Sequence, residues 1–528
     1  MTNRMQKHIV LLLFTIFLSS EFAYSQVVRN YEITEWVYLN KSSRLLGNSV
    51  TDLVYGNSNR LWIGTGRGLN STADNGLSFD EYTHDEFEIG IGGVSALAVL
   101  GDIVIVANAF DDPDVEESNS TGSGLAISTD NGFSWTHIDQ PKDSNDAVFE
   151  LIYGDTIDAL PVVINVDNVT FDIAITEDST IYITSFAGGS RKSTDLGVTW
   201  NRIVLPPDDM DSLTAFSDHE FDLSPVDNSN FGVTGSLNHR PFSVIAWGDT
   251  VIIGTAGGIN RSYDSGVSWF KSNTGNSGIS GNWAVVLHRH VWNGNETLLA
   301  ATRPTVEGEF LGISLSRDGG ENWRTVLSDE RVWNFSSDDS VIYAAADSGL
   351  FKSVDGGVTW ASFPPIIDGA TGDPLYTQTF YSVIKTPDNR LWAGTAGGLI
   401  YTDNNSSSWT ILRAVKPLTE DLSVRTYSYP NPFSPSRHNR LGGDGYVRFH
   451  YSLSERSTVS INVYDFSMTL VAKAVKSVSR DKGEWDEVWN GRNGFGSVVA
   501  NGTYFYKIIV NKSSGGGEVH WGKVMVIE

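Results

Sequence analysis

An eight-residue signature, S/T-x-D-x-G-x-[S/T/N]-[W/F], returns six times along the 528 residues and leaves few folds open. The copies are TADNGLSF (72–79), STDNGFSW (128–135), STDLGVTW (193–200), SYDSGVSW (262–269), SRDGGENW (316–323) and SVDGGVTW (353–360). A decayed seventh, TDNNSSSW (402–409), puts Asn404 in the Asp place. Successive copies lie 37 to 69 residues apart, the period of a supersecondary unit rather than of a domain.

A second repeat precedes the first. RLWIGTGRGL (60–69), TIYITSFAGG (180–189), TVIIGTAGGI (250–259), SVIYAAADSGL (340–350) and RLWAGTAGGL (390–399) each read as a strand running into a Gly-rich turn. Looser versions stand at 102–110 and 297–304, and one alternating strand lies before each. The unit is therefore four antiparallel strands with the signature in the last turn, which is the pattern of a β-propeller blade. Seven units over roughly residues 30–414 predict an all-β, seven-bladed β-propeller. Abundant Gly (52), Trp (16), Tyr (19) and Phe (25) suit short strands and tight turns.

The repetition bears on Asp74, Asp130, Asp195, Asp264, Asp318 and Asp355. One catalytic carboxylate is not needed at six equivalent places, so these are read as turn residues. An Asx side chain accepts backbone N–H groups one or two residues on, and Gly supplies a positive φ. The Trp five residues after the Asp is expected to begin the outer strand and pack between blades. The motif resembles the Asp-box, or BNR repeat, of sialidases, sortilin-type receptors, xyloglucanases and photosystem assembly factors. That resemblance implies boxes on the blade periphery, away from the central funnel.

The first residues, MTNRMQKHIVLLLFTIFLSSEFAYSQ, carry Arg4 and Lys7, an apolar run and a small-x-small site at Ala23-Tyr24-Ser25. The run is about ten residues, half of the about twenty that span a bilayer, so residues 1–25 read as a cleaved signal peptide. The net charge of −26 argues against nucleic-acid partners. There is no Cys, so disulfides and lipid-modified thiols are both excluded.

The propeller is expected over 26–415, followed by a linker over 416–428. Residues 429–528 read as six or seven short strands of a β-sandwich. The motifs Tyr429-Pro430-Asn431-Pro432-Phe433, Val463-Tyr464-Asp465, Trp489-Asn490-Gly491, Gly502-Thr503-Tyr504-Phe505-Tyr506 and Gly522-Lys523-Val524-Met525-Val526 cover most of this module. They resemble the C-terminal sorting domain of type IX secretion cargo and the Ig-like domain of flagellar hook-capping proteins. The glycine usual after the Tyr-Asp strand is replaced here by Ser467-Met468. The resemblance implies an address read by the outer-membrane export machinery of a Gram-negative bacterium, leaving the protein secreted or on the outer cell surface.

Propeller ligands bind where loops converge on one face. Arg67, Arg191, His239, Arg240, Trp283, Arg303, Glu307 and Tyr381 fall in those loops. Arg191, Arg240 and Arg303 come from three blades and suit a carboxylate ligand. A sialidase also needs an Arg-Ile-Pro motif, which is absent, and no catalytic residue is nominated. Asp208, Asp209, Asp211, Asp218 and Glu220 are oxygen donors of the type Ca²⁺ takes, but without EF-hand spacing. His219, His288 and His290 lack zinc spacing, so no metal site is assigned. Two functions follow: an exported propeller binding a protein or glycan through its loop face, or an extracellular glycoside hydrolase, which would need paired carboxylates.

Overall fold

The structure is a computed structural model that describes residues 44–112, 120–229, 234–403, 408–416, 418 and 424–528. The expected signal peptide, part of the expected linker and Asn404 lie outside these residues. Contacts divide the chain into two units. One takes the described residues of Ser43–Asp373 and Thr379–Arg413, and the other Pro374–Gln378 and Ala414–Glu528.

In the first unit the strands fall, in chain order, into seven antiparallel sheets of four or five strands, with one separate two-stranded hairpin, Val148–Glu150 against Thr156–Asp158, among the described residues. Sheet 1 is Val50–Tyr55, Leu61–Thr65, Gly68–Thr72 and Asp80–Tyr82, and each later sheet repeats that order. Sheet 4 gains a fifth strand, Ser212–Leu213, beside its outer strand Trp269–Ser272. The innermost strands are Val50–Tyr55, Gly93–Leu100, Thr170–Ile175, Pro241–Trp247, Trp283–Trp292, Val332–Asp338 and Phe380–Lys385. Each packs beside the next, and the seventh packs beside the first, so the sheets close a ring. This is β-propeller architecture.

The second strand of each sheet is sandwiched between neighbouring sheets, which is why it reads as an unbroken apolar or small run rather than an alternating one. Leu61–Thr65 and Ile181–Ser185 are buried at every residue. All seven inner strands carry a bulge near their start, with the extra residue at Thr51, Ser95, Phe171, Phe242, Val285, Trp333 or Tyr381. A bulge interrupts the ladder and re-aims the side chains around it. The residue that follows it in several sheets reaches the next inner strand. Asp52 accepts from Leu97 N–H, Asp172 from Val244 N–H at 2.8 Å and Asn334 from Val383 N–H at 3.2 Å, while Ser243 Oγ donates to Ala284 O at 3.3 Å. Neighbouring sheets share no ladder, so these side chains supply polar links across the seams.

The second unit has two antiparallel sheets. Thr426–Tyr429, Val447–Leu453 and Gly483–Trp489 form one; Leu470–Arg480, Ser457–Tyr464, Gly502–Lys512 and Gly517–Val526, in that order, form the other. Phe433, Phe449, Tyr451, Ile461, Tyr506 and Ile508 fill the layer between them. At Ser467-Met468 the turn closes without glycine: Met468 adopts φ +64° and Asp465 Oδ1 accepts Thr469 N–H at 2.9 Å.

Candidate functional site

The repeated carboxylates are bound up in their own turns. Asp355 Oδ1 accepts Ser353 Oγ (2.8 Å), Val358 N–H (3.0 Å) and Thr359 N–H (2.9 Å), and Oδ2 accepts Thr359 Oγ1 (2.7 Å). The same bonds to the residues two before and four after recur at Asp74, Asp130, Asp195, Asp264 and Asp318. The reach is thus three or four residues on, not one or two. The leading Ser or Thr supplies the rest of the turn, since its oxygen accepts the Gly N–H, as Ser353 does from Gly357 at 2.9 Å. The Trp precedes the outer strand in most sheets and begins it only at Trp269. Its ring nitrogen donates back to the box glycine at Trp269, Trp323 and Trp360. Hydrogen bonds to the ionised form hold Asp130 and Asp195 at about 2. Asp355 also lies at about 2, bonds from Thr359, Ser353 and Val358 outweighing desolvation. Such groups stay charged and exchange no protons at neutral pH.

Six candidate ligand residues stand as follows. Arg191 is 3% exposed, and its Nη2 meets Asp143 Oδ1 at 2.6 Å. Arg202 meets the other oxygen of Asp143 at 2.8 Å, so one buried carboxylate bridges two guanidiniums. His239 is buried, bonds Leu205 O at 3.1 Å, and is pulled down to about 4 by burial. Arg240 donates through Nε to Pro225 O at 2.5 Å and lies over the Phe186 ring. Trp283 and Arg303 do come together: the buried Arg303 guanidinium lies 5.2 Å from the Trp283 ring centroid and 4.7 Å from that of Trp333. Glu307 is exposed, while its neighbour Glu309 is the carboxylate the loop is built on, accepting from Asn282 Nδ2 (2.5 Å) and Thr305 N–H (2.7 Å). Arg191, His239, Trp283 and Arg303 are therefore buried in the fold.

The buried aromatics explain why. Phe171 and Phe242 stand with ring centroids 5.4 Å apart and Phe242 and Trp283 5.2 Å, and Tyr381 packs edge-on to Trp333 at 6.1 Å. Phe171, Phe242, Trp333 and Tyr381 are bulge residues, so a feature invisible in the sequence packs aromatic rings of neighbouring inner strands together, with Arg303 stacked on both Trp283 and Trp333. The acidic loop is equally engaged. Asp208 caps the turn at 236–238 through Ser236 Oγ and the N–H groups of Leu237 and Asn238. Asp211 accepts from Asn273 and Asn276, and Asp218 from Glu220 N–H. Among the described residues no three His, Asp or Glu side chains converge as a metal site.

An open cleft of about 300 Å³ lies where sheets 1 and 2 meet, at the end of the inner strands that bears these loops. It is lined by Arg67, Gly68, Thr83, His84, Asp85 and residues Ile89–Gly92. Arg67 and Gly68 belong to the second-repeat turn, and the others to the connection between the sheets, where the short helix His84–Phe87 meets the run Gly90-Ile91-Gly92-Gly93. Gly92 has φ +92°, and a Cβ there would stand 2.1 Å from Ala109 O, so the backbone approaches as only glycine allows. Ile89 O accepts from His84 Nδ1 at 2.7 Å, which fixes that proton and leaves Nε2 as acceptor in the neutral ring. Burial lowers the Arg67 guanidinium from its ordinary value. Arg67 was a sequence candidate; His84 and Asp85 were not, although the glycine run beside them breaks the blade pattern.

No family profile matches the chain, and no curated protein matches it. Solved structures with likeness to it include PorZ, an essential bacterial surface component of the type-IX secretion system of Porphyromonas gingivalis. Identity is 14%, the TM-score 0.40, and the match covers 89% of this chain and 64% of that one, so the chain spans less than two thirds of PorZ. The GH74 enzyme of Niastella koreensis is 14% identical at a TM-score of 0.49, covering 91% and 73%. YCF48 from Cyanidioschyzon merolae is 15% identical at 0.41, covering 70% and 99%. The propeller assignment stands on the strand order and ring closure described above.

Proposed function

We propose that the chain is an exported, seven-bladed Asp-box propeller, secreted or held on the outer surface of a Gram-negative cell, that binds a protein or glycan ligand through its loop face. Residues 26–415 are the propeller and 429–528 an Ig-like module that the export machinery reads as a sorting signal. The ligand site is the cleft beside Arg67. The observation that carries this reading is the cleft's lining: one guanidinium, one imidazole with a fixed proton, a glycine-rich run and a single carboxylate, Asp85. Glycoside hydrolysis ordinarily uses two carboxylates about 5–10 Å apart. A cation beside an imidazole instead suits recognition of an anionic or polar group.

The test is a glycan array, a surface-protein pull-down and a polysaccharide-hydrolysis screen on the full chain. Binding that falls at least tenfold in Arg67→Ala and persists in Arg191→Lys supports the cleft. Sugar release abolished by Asp85→Asn overturns the binding reading in favour of hydrolysis.

A further inference from the structure

In the four-stranded sheet of the second unit, the face turned away from the core mixes aromatic and apolar side chains with the polar ones that an antiparallel sheet presents to water. Cross-strand pairing fixes its rows. Tyr464 pairs with Phe505 and Phe505 with Lys523; Asn462 pairs with both Lys473 and Lys507, and Lys507 with Trp521; Ile509 pairs with Val519. Trp521 is 47% exposed, Val519 49% and Met525 42%, while the opposite row, Val459, Ile461, Tyr506 and Ile508, is fully buried. The Tyr464 and Trp521 rings stand 5.6 Å apart, with Lys507 Nζ 5.4 Å from the Trp521 centroid. None of the paired positions on this face is Asp or Glu. The sign of charge is set against the rest of the chain: residues 424–528 hold 13 Lys and Arg against 9 Asp and Glu, whereas the whole chain holds 37 against 63.

We infer that this face is a binding platform for an acidic polysaccharide. The C–H faces of a pyranose ring are apolar and pack on exposed aromatic rings, as other flat ligands do. A uronic acid adds a carboxylate at the ring edge, for which Lys473, Lys507 and Lys523 are point-charge partners at strand spacing. Lysine is depleted in the desolvated cores of protein interfaces, so three lysines amid the aromatics fit a hydrated anionic chain better than a protein partner. The assignment is independent of the Arg67 cleft and of any role in export.

Affinity electrophoresis and calorimetry of the full chain with polygalacturonate, with neutral dextran as control, test it. At 0.15 M salt the Debye length is about 8 Å, so the acidic remainder of the molecule is screened from the platform. Polygalacturonate is expected to bind and dextran not to. Trp521→Ala and the pair Lys507→Gln with Lys523→Gln are each expected to weaken binding at least tenfold with unchanged melting temperature, because all three side chains lie on the outer face. Absence of polygalacturonate binding overturns the inference. So does binding that the lysine pair abolishes and Trp521→Ala leaves intact, since that is charge attraction without a platform. Preference for anionic vesicles or poly-glutamate over polygalacturonate overturns it in favour of a membrane or an acidic protein.

Discussion

A single residue type plays two opposite parts in this ring, and its hydrogen-bond donors decide which. In the repeated turns each Asp collects backbone and hydroxyl donors within its own loop, as Asp355 does from Val358, Thr359 and Ser353. Replacing Asp355 with Ala frees two backbone N–H groups at a solvent-exposed turn, where water takes up part of the loss. The expected cost is about 1 kcal/mol. Asn keeps one acceptor oxygen, so Asp355→Asn is expected to lose less; urea unfolding of both variants checks the order. The sign of the pH effect follows from a folded value near 2 against the ordinary 3.8. The stabilisation is fully present above about pH 4 and disappears as pH falls towards 2. Equal loss in both variants would show that charge, not the acceptor geometry, holds the turn.

Between elements the balance reverses. Asp52 and Asp172 follow the bulges of inner strands 1 and 3 and are half-buried, and desolvation of the carboxyl raises both to about 7. The Leu97 and Val244 N–H groups they accept offset that only in part. A carboxyl whose folded value lies above its unfolded value binds protons on folding. Its contribution is therefore whole below about pH 4 and declines as pH rises to about 7, at roughly 1.4 kcal/mol for each pKa unit. Sheet 6 carries an uncharged counterpart, since Asn334 occupies the same register and accepts Val383 N–H. The variant Asp52→Asn with Asp172→Asn is accordingly expected to melt several degrees higher than the parent at pH 8, with the gain smaller at pH 5 and nearly gone at about pH 4. Melting curves across that range decide it; a lower melting temperature at pH 8 would mean the carboxylates are held charged. None of this was legible beforehand. The segments before the second repeat, VTDLVYG (50–56) and FDIAITE (171–177) among them, read as alternating strands, but a bulge and the identity of the strand across the seam are long-range facts. The same holds for the mouth, where Arg191 reads as available until Asp143, from an insertion 48 residues away in sequence, is seen to cover it.

Over the whole molecule, closure depends on one seam. Each of the seven sheets is built from consecutive strands, so among the described residues sheets 1 and 7 meet through side chains and loops. Trp392 is 2% exposed, and its Cη2 would lie 3.1 Å from a Cβ at Gly76 in the first repeated turn. Arg390 Nη1 donates to Asn75 O at 3.2 Å across the same seam. Trp392→Ala removes the largest side chain there and is expected to cost about 3–5 kcal/mol. Hydrogen exchange is expected to quicken first in sheets 1 and 7; uniform quickening in all seven would mean the ring opens as one unit. The relation between box and neighbour is general, as a Cβ on Gly132 would lie 2.5 Å from Trp62 of the preceding sheet. What the sequence determined by itself is the local grammar: the strand–turn period, the signature's turn residues and the strands of the last hundred residues, because hydrophobic alternation and turn chemistry act within a few residues. Which side chains are spent inside the protein and which face a ligand was decided only by tertiary structure. Burial and pairing depend on partners brought together by ring closure, bulges and insertions, and no local spacing encodes them.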